Sequence, residues 1–149
     1  MNLRWVKRIS LTIGFLLLLV HGIPWSLYQF GLSSFSKMPD KPARLISIRD
    51  QQALWDKAGF QGAPQDQKLN PVSYILTADQ MPEPMTLFAG RIAAHHFRQN
   101  GSAINPAARQ LAVSALTIWL TRNWTTTEIL SSVAELEAML PPPEPPAVR

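Results

Sequence analysis

The stretch Arg4-Trp5-Val6-Lys7-Arg8-Ile9-Ser10-Leu11-Thr12-Ile13-Gly14-Phe15-Leu16-Leu17-Leu18-Leu19-Val20-His21-Gly22-Ile23-Pro24-Trp25 reads as one membrane-spanning helix. Trp5 and Trp25 stand 20 residues apart, which on a helix is ~30 Å, the thickness of a hydrocarbon core. Tryptophans at both ends suit the interfacial belts, and Lys7 and Arg8 are long enough to reach back to the headgroups. Ser10 and Thr12 can bond to preceding carbonyls and so are tolerated in lipid. Gly22 and Pro24 are expected to loosen or kink the exit. Contact with the bilayer is expected through residues 9–30. The basic flank, residues 1–8, places the N-terminus in the cytoplasm and the chain from Gly31 onward outside.

A cleaved signal peptide shares the charged start and the apolar run but needs small residues in an Ala-x-Ala-like pattern at its exit. The exit here reads His21-Gly22-Ile23-Pro24-Trp25-Ser26-Leu27-Tyr28. It is bulky where small residues are wanted, so an uncleaved signal anchor is expected. His21 lies inside the apolar run and reads as a neutral imidazole near the interface rather than a proton site.

Charge follows the same division. The chain is formally +4, and three of its positive charges are Arg4, Lys7 and Arg8. The remainder carries 11 Lys and Arg against 10 Asp and Glu. The basicity therefore belongs to the membrane flank, and no clustered basic patch of the kind that binds nucleic acid is present. Cysteine is absent, which excludes a disulfide framework and a thiolate metal site.

Beyond the span, residues 31–47 carry serines, Pro39 and Pro42 and read as a linker. A small helical domain is expected over 48–140. Ile48, Gln51/Gln52 and Trp55 recur at helical spacing, and Gly59 suits a C-terminal cap. Asn70-Pro71 and Asn105-Pro106 are helix starts, an N-cap followed by proline at the first helical position. Met81-Pro82-Glu83-Pro84 separates two helices, the second running from Met85 to Gln99 and closing at Asn100-Gly101. The longest helix, about 107–123, carries Leu111, Ala115, Ile118, Trp119 and Arg122 by threes and fours, with Leu116 and Leu120 widening the stripe. It is expected to be the central helix. Thr125-x-x-Glu128 is a capping box for a last helix with Ile129, Val133, Leu136 and Leu140 on one side. Residues 141–149 form a Pro-rich tail suited to polyproline. The fold class is all-α, with one N-terminal transmembrane helix followed by a small helical domain.

No catalytic constellation is legible. His95 and His96 are adjacent, so on a helix they point ~100° apart and cannot share one metal as a His-x3-His pair can. No Gly-x-Ser-x-Gly elbow accompanies Ser102 or Ser114, and the glycines stand singly, so no loop cradles phosphate. Glu135 and Glu137 are two apart and face different sides of a helix. Catalytic, cofactor-binding and metal residues are therefore expected to be none.

The stretch Leu116-Thr117-Ile118-Trp119-Leu120-Thr121-Arg122-Asn123-Trp124-Thr125-Thr126-Thr127-Glu128-Ile129-Leu130 resembles a segment of the bacterial peptidoglycan glycosyltransferases. There a helix of Leu, Ala and Trp ends in Arg or Lys, turns through Ser/Thr-x-x-Glu and continues Ile-Leu. The similarity covers Ala108 to Leu136. It implies an inner-membrane anchor, an all-α extracytoplasmic domain and lipid II as the substrate class. The family's signature is Glu-Asp, two residues, an aromatic, two residues, His, one residue and Gly. The nearest stretch is Ile92-Ala93-Ala94-His95-His96-Phe97-Arg98-Gln99-Asn100-Gly101. Phe97 fits the aromatic position, but Ala93 and Ala94 stand where Glu and Asp would be, and Asn100 replaces the His. The Gly-Gly-Ser-Thr-Ile motif is absent, with Gln110-Leu111-Ala112 at most its remnant, and Ser132-Val133-Ala134 stands where Tyr-Leu-Asn would follow. Alanine cannot accept a proton from an acceptor hydroxyl. The implied protein is a shortened relative, catalytically silent, anchored in the bacterial inner membrane with its domain in the periplasm. A protein partner in cell-envelope synthesis is then expected, with a lipid-linked precursor as a further ligand that no residue specifically supports. An active divergent enzyme using Glu83 or Glu128, and a structural subunit of an unrelated inner-membrane complex, are the alternatives.

Overall fold

The helix-start signals after the span act as their side chains dictate. The Asn70 Oδ1 accepts from the N–H of Val72 at 2.9 Å, and the Asn105 Oδ1 from that of Ala108 at 2.8 Å. Thr125 and Glu128 cap reciprocally: the Glu128 N–H donates to Thr125 Oγ1 at 3.2 Å, and the Thr125 N–H to Glu128 Oε2 at 2.7 Å. Each bond fills a donor that a helix start leaves unpaired. Ser47 is a further cap that the sequence reading passed over, accepting from the Asp50 N–H at 3.2 Å.

The computed structural model describes residues 3–76, 83–103 and 105–139. Among these it has six helices and no strand: α1 (Leu3–Leu32), α2 (Ile48–Lys57), α3 (Pro71–Leu76), α4 (Pro84–Asn100), α5 (Pro106–Asn123) and α6 (Thr126–Met139). The fold is all-α. Asp79, Met81-Pro82, Leu140 and the Pro-rich tail lie outside the described residues, as do the side chains of residues 3–9, 75 and 76.

The end of α2 shows how glycine is used. Gly59 has φ +85°, a left-handed conformation that side chains with a Cβ rarely adopt. Its N–H donates to the Asp56 carbonyl at 2.9 Å and that of Phe60 to the Trp55 carbonyl at 3.2 Å. The Trp55 and Phe60 rings meet at 5.4 Å. This is a Schellman cap with its hydrophobic contact. Ile48, expected on the buried side of α2, is instead 83% exposed. It is the first residue of the helix, and Gln51 and Trp55 carry the buried side.

α5 is central because it is buried on two sides. Ala112, Leu116 and Leu120 enter the main core with Phe88 of α4, Ile129 of α6 and Trp55 of α2. Ala115 and Ile118 point the other way, into a second cluster with Tyr28 of α1 and Leu69. Trp119 touches both clusters. This explains why its apolar stripe is too wide for one interface.

α1 runs without a break through Pro24 to Leu32, two residues past the expected exit. Its residues Ser10–Leu32 are long and apolar enough to cross a membrane, and most of them are exposed. The last turns are the exception. At Gly31 a Cβ would lie 2.6 Å from Ala115 Cβ and 2.7 Å from the Leu111 carbonyl oxygen. α1 and α5 thus cross at backbone distance, and α3 packs beside them.

Residues 33–47, within the stretch read as a linker, are fastened at intervals. Phe35 is buried in the main core. The Ser34 carbonyl accepts from the Ser102 N–H at 3.0 Å, and the Ile46 N–H donates to Ser131 Oγ at 3.0 Å.

Candidate functional site

The residues singled out as chemically interesting on α4 turn out to hold this fastening. His96 Nε2 donates to the Lys37 carbonyl at 2.8 Å, and its Nδ1 accepts from Asn100 Nδ2 at 3.4 Å. A carbonyl only accepts, so the ring carries its proton on Nε2. His95 Nε2 accepts from Gln99 Nε2 at 2.9 Å. Phe97 packs edge-on against Phe35 at 5.9 Å, and Arg109 lies 5.7 Å over the Phe97 ring. Gly101 closes α4 in an extended conformation (φ −86°, ψ 143°) rather than a left-handed one. It must be glycine for another reason, since a Cβ there would fall on the Phe97 ring.

Ala93 is 0% exposed and belongs to the main core. Position 93 is thus a filled core site between α4 and its neighbours.

Two grooves flank Trp124. One, of ≈ 330 Å³, runs between α4 and α6 past Lys37, Asp40, His95, His96 and Glu135. Among the described residues no three His, Asp or Glu side chains stand together as metal ligands. The other, of ≈ 190 Å³, lies at the α5–α6 corner and is lined by Lys41, Asp66, Lys68, Arg122, Thr126 and Glu128. Asp66 accepts from the Thr126 N–H at 3.0 Å and from Thr126 Oγ1 at 2.6 Å. Those bonds, side chain first, hold its carboxyl below the usual range. Lys41 Nζ donates to Glu128 Oε1 at 2.6 Å. That bond, with the Thr125 N–H, likewise depresses Glu128. Both carboxylates are thus held in their charged form by their hydrogen-bond donors.

Lys68 and Arg122 enter no ion pair among the described residues. Arg122 Nη1 donates to the Leu69 carbonyl at 3.3 Å, and its guanidinium lies 5.4 Å over the Trp25 ring. The corner is therefore able to take an anion, and it touches the exit of α1. Sequence reasoning missed Asp66 and Lys68 as members of this corner; only the helix-start pattern at Thr125 pointed toward it. In α1 itself, His21 Nδ1 donates to the Leu17 carbonyl at 3.2 Å, a bond within the helix.

No family model matches this chain, and no curated protein or solved structure matches it.

The carboxylates supply a pH dependence. Asp66, Glu128 and Glu137 all have lowered pKa values, Glu137 chiefly through its bond from Lys57 at 2.8 Å. The unfolded chain thus binds more protons than the folded one near pH 4, and stability rises with pH there. The contribution is complete above the ordinary carboxylate range and is lost as pH falls through the folded values. Denaturant midpoints of the full chain in micelles should drop on acidification from about pH 7 to about pH 3. Glu128→Gln should flatten that drop; an unchanged slope would show that Lys41–Glu128 is inert.

Proposed function

We propose that this chain is a non-catalytic, single-pass protein of the bacterial inner membrane whose helical domain acts by contact with a partner in cell-envelope synthesis. Arg4, Lys7 and Arg8 keep the N-terminus cytoplasmic, and the domain lies in the periplasm. The observation that carries the non-catalytic reading is Ala93, at 0% exposure in the core where the resembled enzymes place their base. Glu128, the substitute base considered above, is committed to Lys41 and to the start of α6.

The test uses the full chain in membranes. Purified protein is expected to give no polymer from lipid II, while crosslinking in cells recovers peptidoglycan enzymes. Polymer that disappears with Glu128→Gln or Glu83→Gln would restore the enzyme reading. Recovery of secretion or division components alone would move the protein to another complex. Alkaline phosphatase fused after Arg149 should be active; activity of a cytoplasmic reporter there would reverse the topology.

A further inference from the structure

The orientation of α5 against α1 says where the domain stands. Gly31 meets Leu111 and Ala115, Tyr28 shares its cluster with Ala115 and Ile118, and Trp25 meets Arg122. The two helices are therefore antiparallel, and the C-terminal end of α5 points back toward the span. Six residues separate Gly31 from Trp25, or ~9 Å along the helix. A headgroup layer is only ~5–8 Å deep on each side. If Trp25 marks the interface, Arg122 stands in that layer. Lys68, one residue before the Leu69 carbonyl that Arg122 holds, stands at the same end.

Charge at this end fits lipid phosphate. Glu128 is paired with Lys41, and Asp66, held in its charged form by Thr126, has Lys68 as the nearby cation acting on it, so the corner keeps a net charge of +1 centred on Arg122. Lys68 and Arg122 are both exposed and outside any ion pair among the described residues. We propose that the α5–α6 corner is a seat for anionic lipid headgroups, with Arg122 and Lys68 binding their phosphates and holding that end of the domain at the bilayer surface. This rests on the reading of α1 as a membrane span. Each basic side chain at such a surface favours anionic lipid on the order of fivefold.

The chain has no cysteine, so single labels are easily placed. Asn123→Cys and Ala107→Cys lie on the same helix, 16 residues and ~24 Å apart. Each labelled full-length protein is reconstituted in mixed phosphatidylcholine–phosphatidylglycerol vesicles. Spin-labelled headgroups of either lipid serve as quenchers. Quenching is expected at position 123 and not at 107. The anionic quencher should exceed the zwitterionic one by about twofold or more. Lys68→Gln, whose side chain makes no hydrogen bond among the described residues, should lower that ratio, and Lys68→Gln with Arg122→Gln should bring it to one. Equal quenching at both positions, none at 123, or a ratio of one in the unmodified protein overturns the seat. Alkaline carbonate extraction separates the two failures: a chain released from the vesicles has lost its anchor, whereas one retained without quenching has lost only the seat.

Discussion

Ala93→Glu is expected to unfold the domain rather than give it a catalytic base. Ala93 has no exposure and sits in the core that α4 shares with α5 and α6. Four heavy atoms beyond the Cβ would have to displace neighbours, and overpacking alone costs roughly 1–3 kcal/mol. The carboxyl would also be buried without a partner built for it, which adds a comparable or larger penalty. The sum exceeds about 4 kcal/mol, a large part of the stability of a small domain. Denaturant titration and circular dichroism of the full chain in micelles measure it. A variant that folds with its midpoint unchanged would show space at Ala93. A folded variant that also polymerised lipid II would overturn the non-catalytic proposal.

The second large effect is expected at Gly31→Leu. A single methyl there already collides with Ala115 and with the backbone oxygen of Leu111. The oxygen belongs to α5 itself and cannot rotate away, so the two helices must part. The substitution should destabilise by about 3 kcal/mol and separate the second cluster of Tyr28, Leu69, Ala115 and Ile118. Spin labels at Phe30→Cys and Asn123→Cys would report a longer and broader distance. Gly14→Leu is the control, since nothing lies within 4 Å of a Cβ at that position. Equal loss at both glycines would mean that helix propensity, not the α1–α5 crossing, sets the effect.

Local chemistry explains what could be read in advance. The helix starts at Asn70, Asn105 and Thr125 were legible because the capping side chain and the amide it serves lie within three residues. The centrality of α5 was legible from the width of its stripe, although one-dimensional spacing could not say that the stripe serves two interfaces. Gly31 gave no signal, because the reason for its missing side chain lies in Leu111 and Ala115, far along the chain. Asp66 was invisible for the same reason: it supports the start of α6 from 60 residues away. His95, His96 and Phe97 attracted attention by composition; His96 and Phe97 fasten Phe35 and Lys37, whereas His95 bonds within its own helix to Gln99. The α5–α6 corner emerged only from folding, since Lys68 and Arg122 belong to segments that are not neighbours in sequence.

The antiparallel crossing of α1 and α5 also constrains the order of assembly. Contacts between residues distant in sequence form late, because the intervening chain must be closed first. Tyr28 and Gly31 are made early in synthesis, but Ala115 and Ile118 follow only after about three-quarters of the 149 residues. Until then the last turns of α1 have only α3 and Leu69 to pack against, and Phe35 only the α4 rings of His96 and Phe97. The arrival of α5 at the end of α1 completes the second cluster, and α6, made after it, completes the main core with Ile129, Leu130 and Val133.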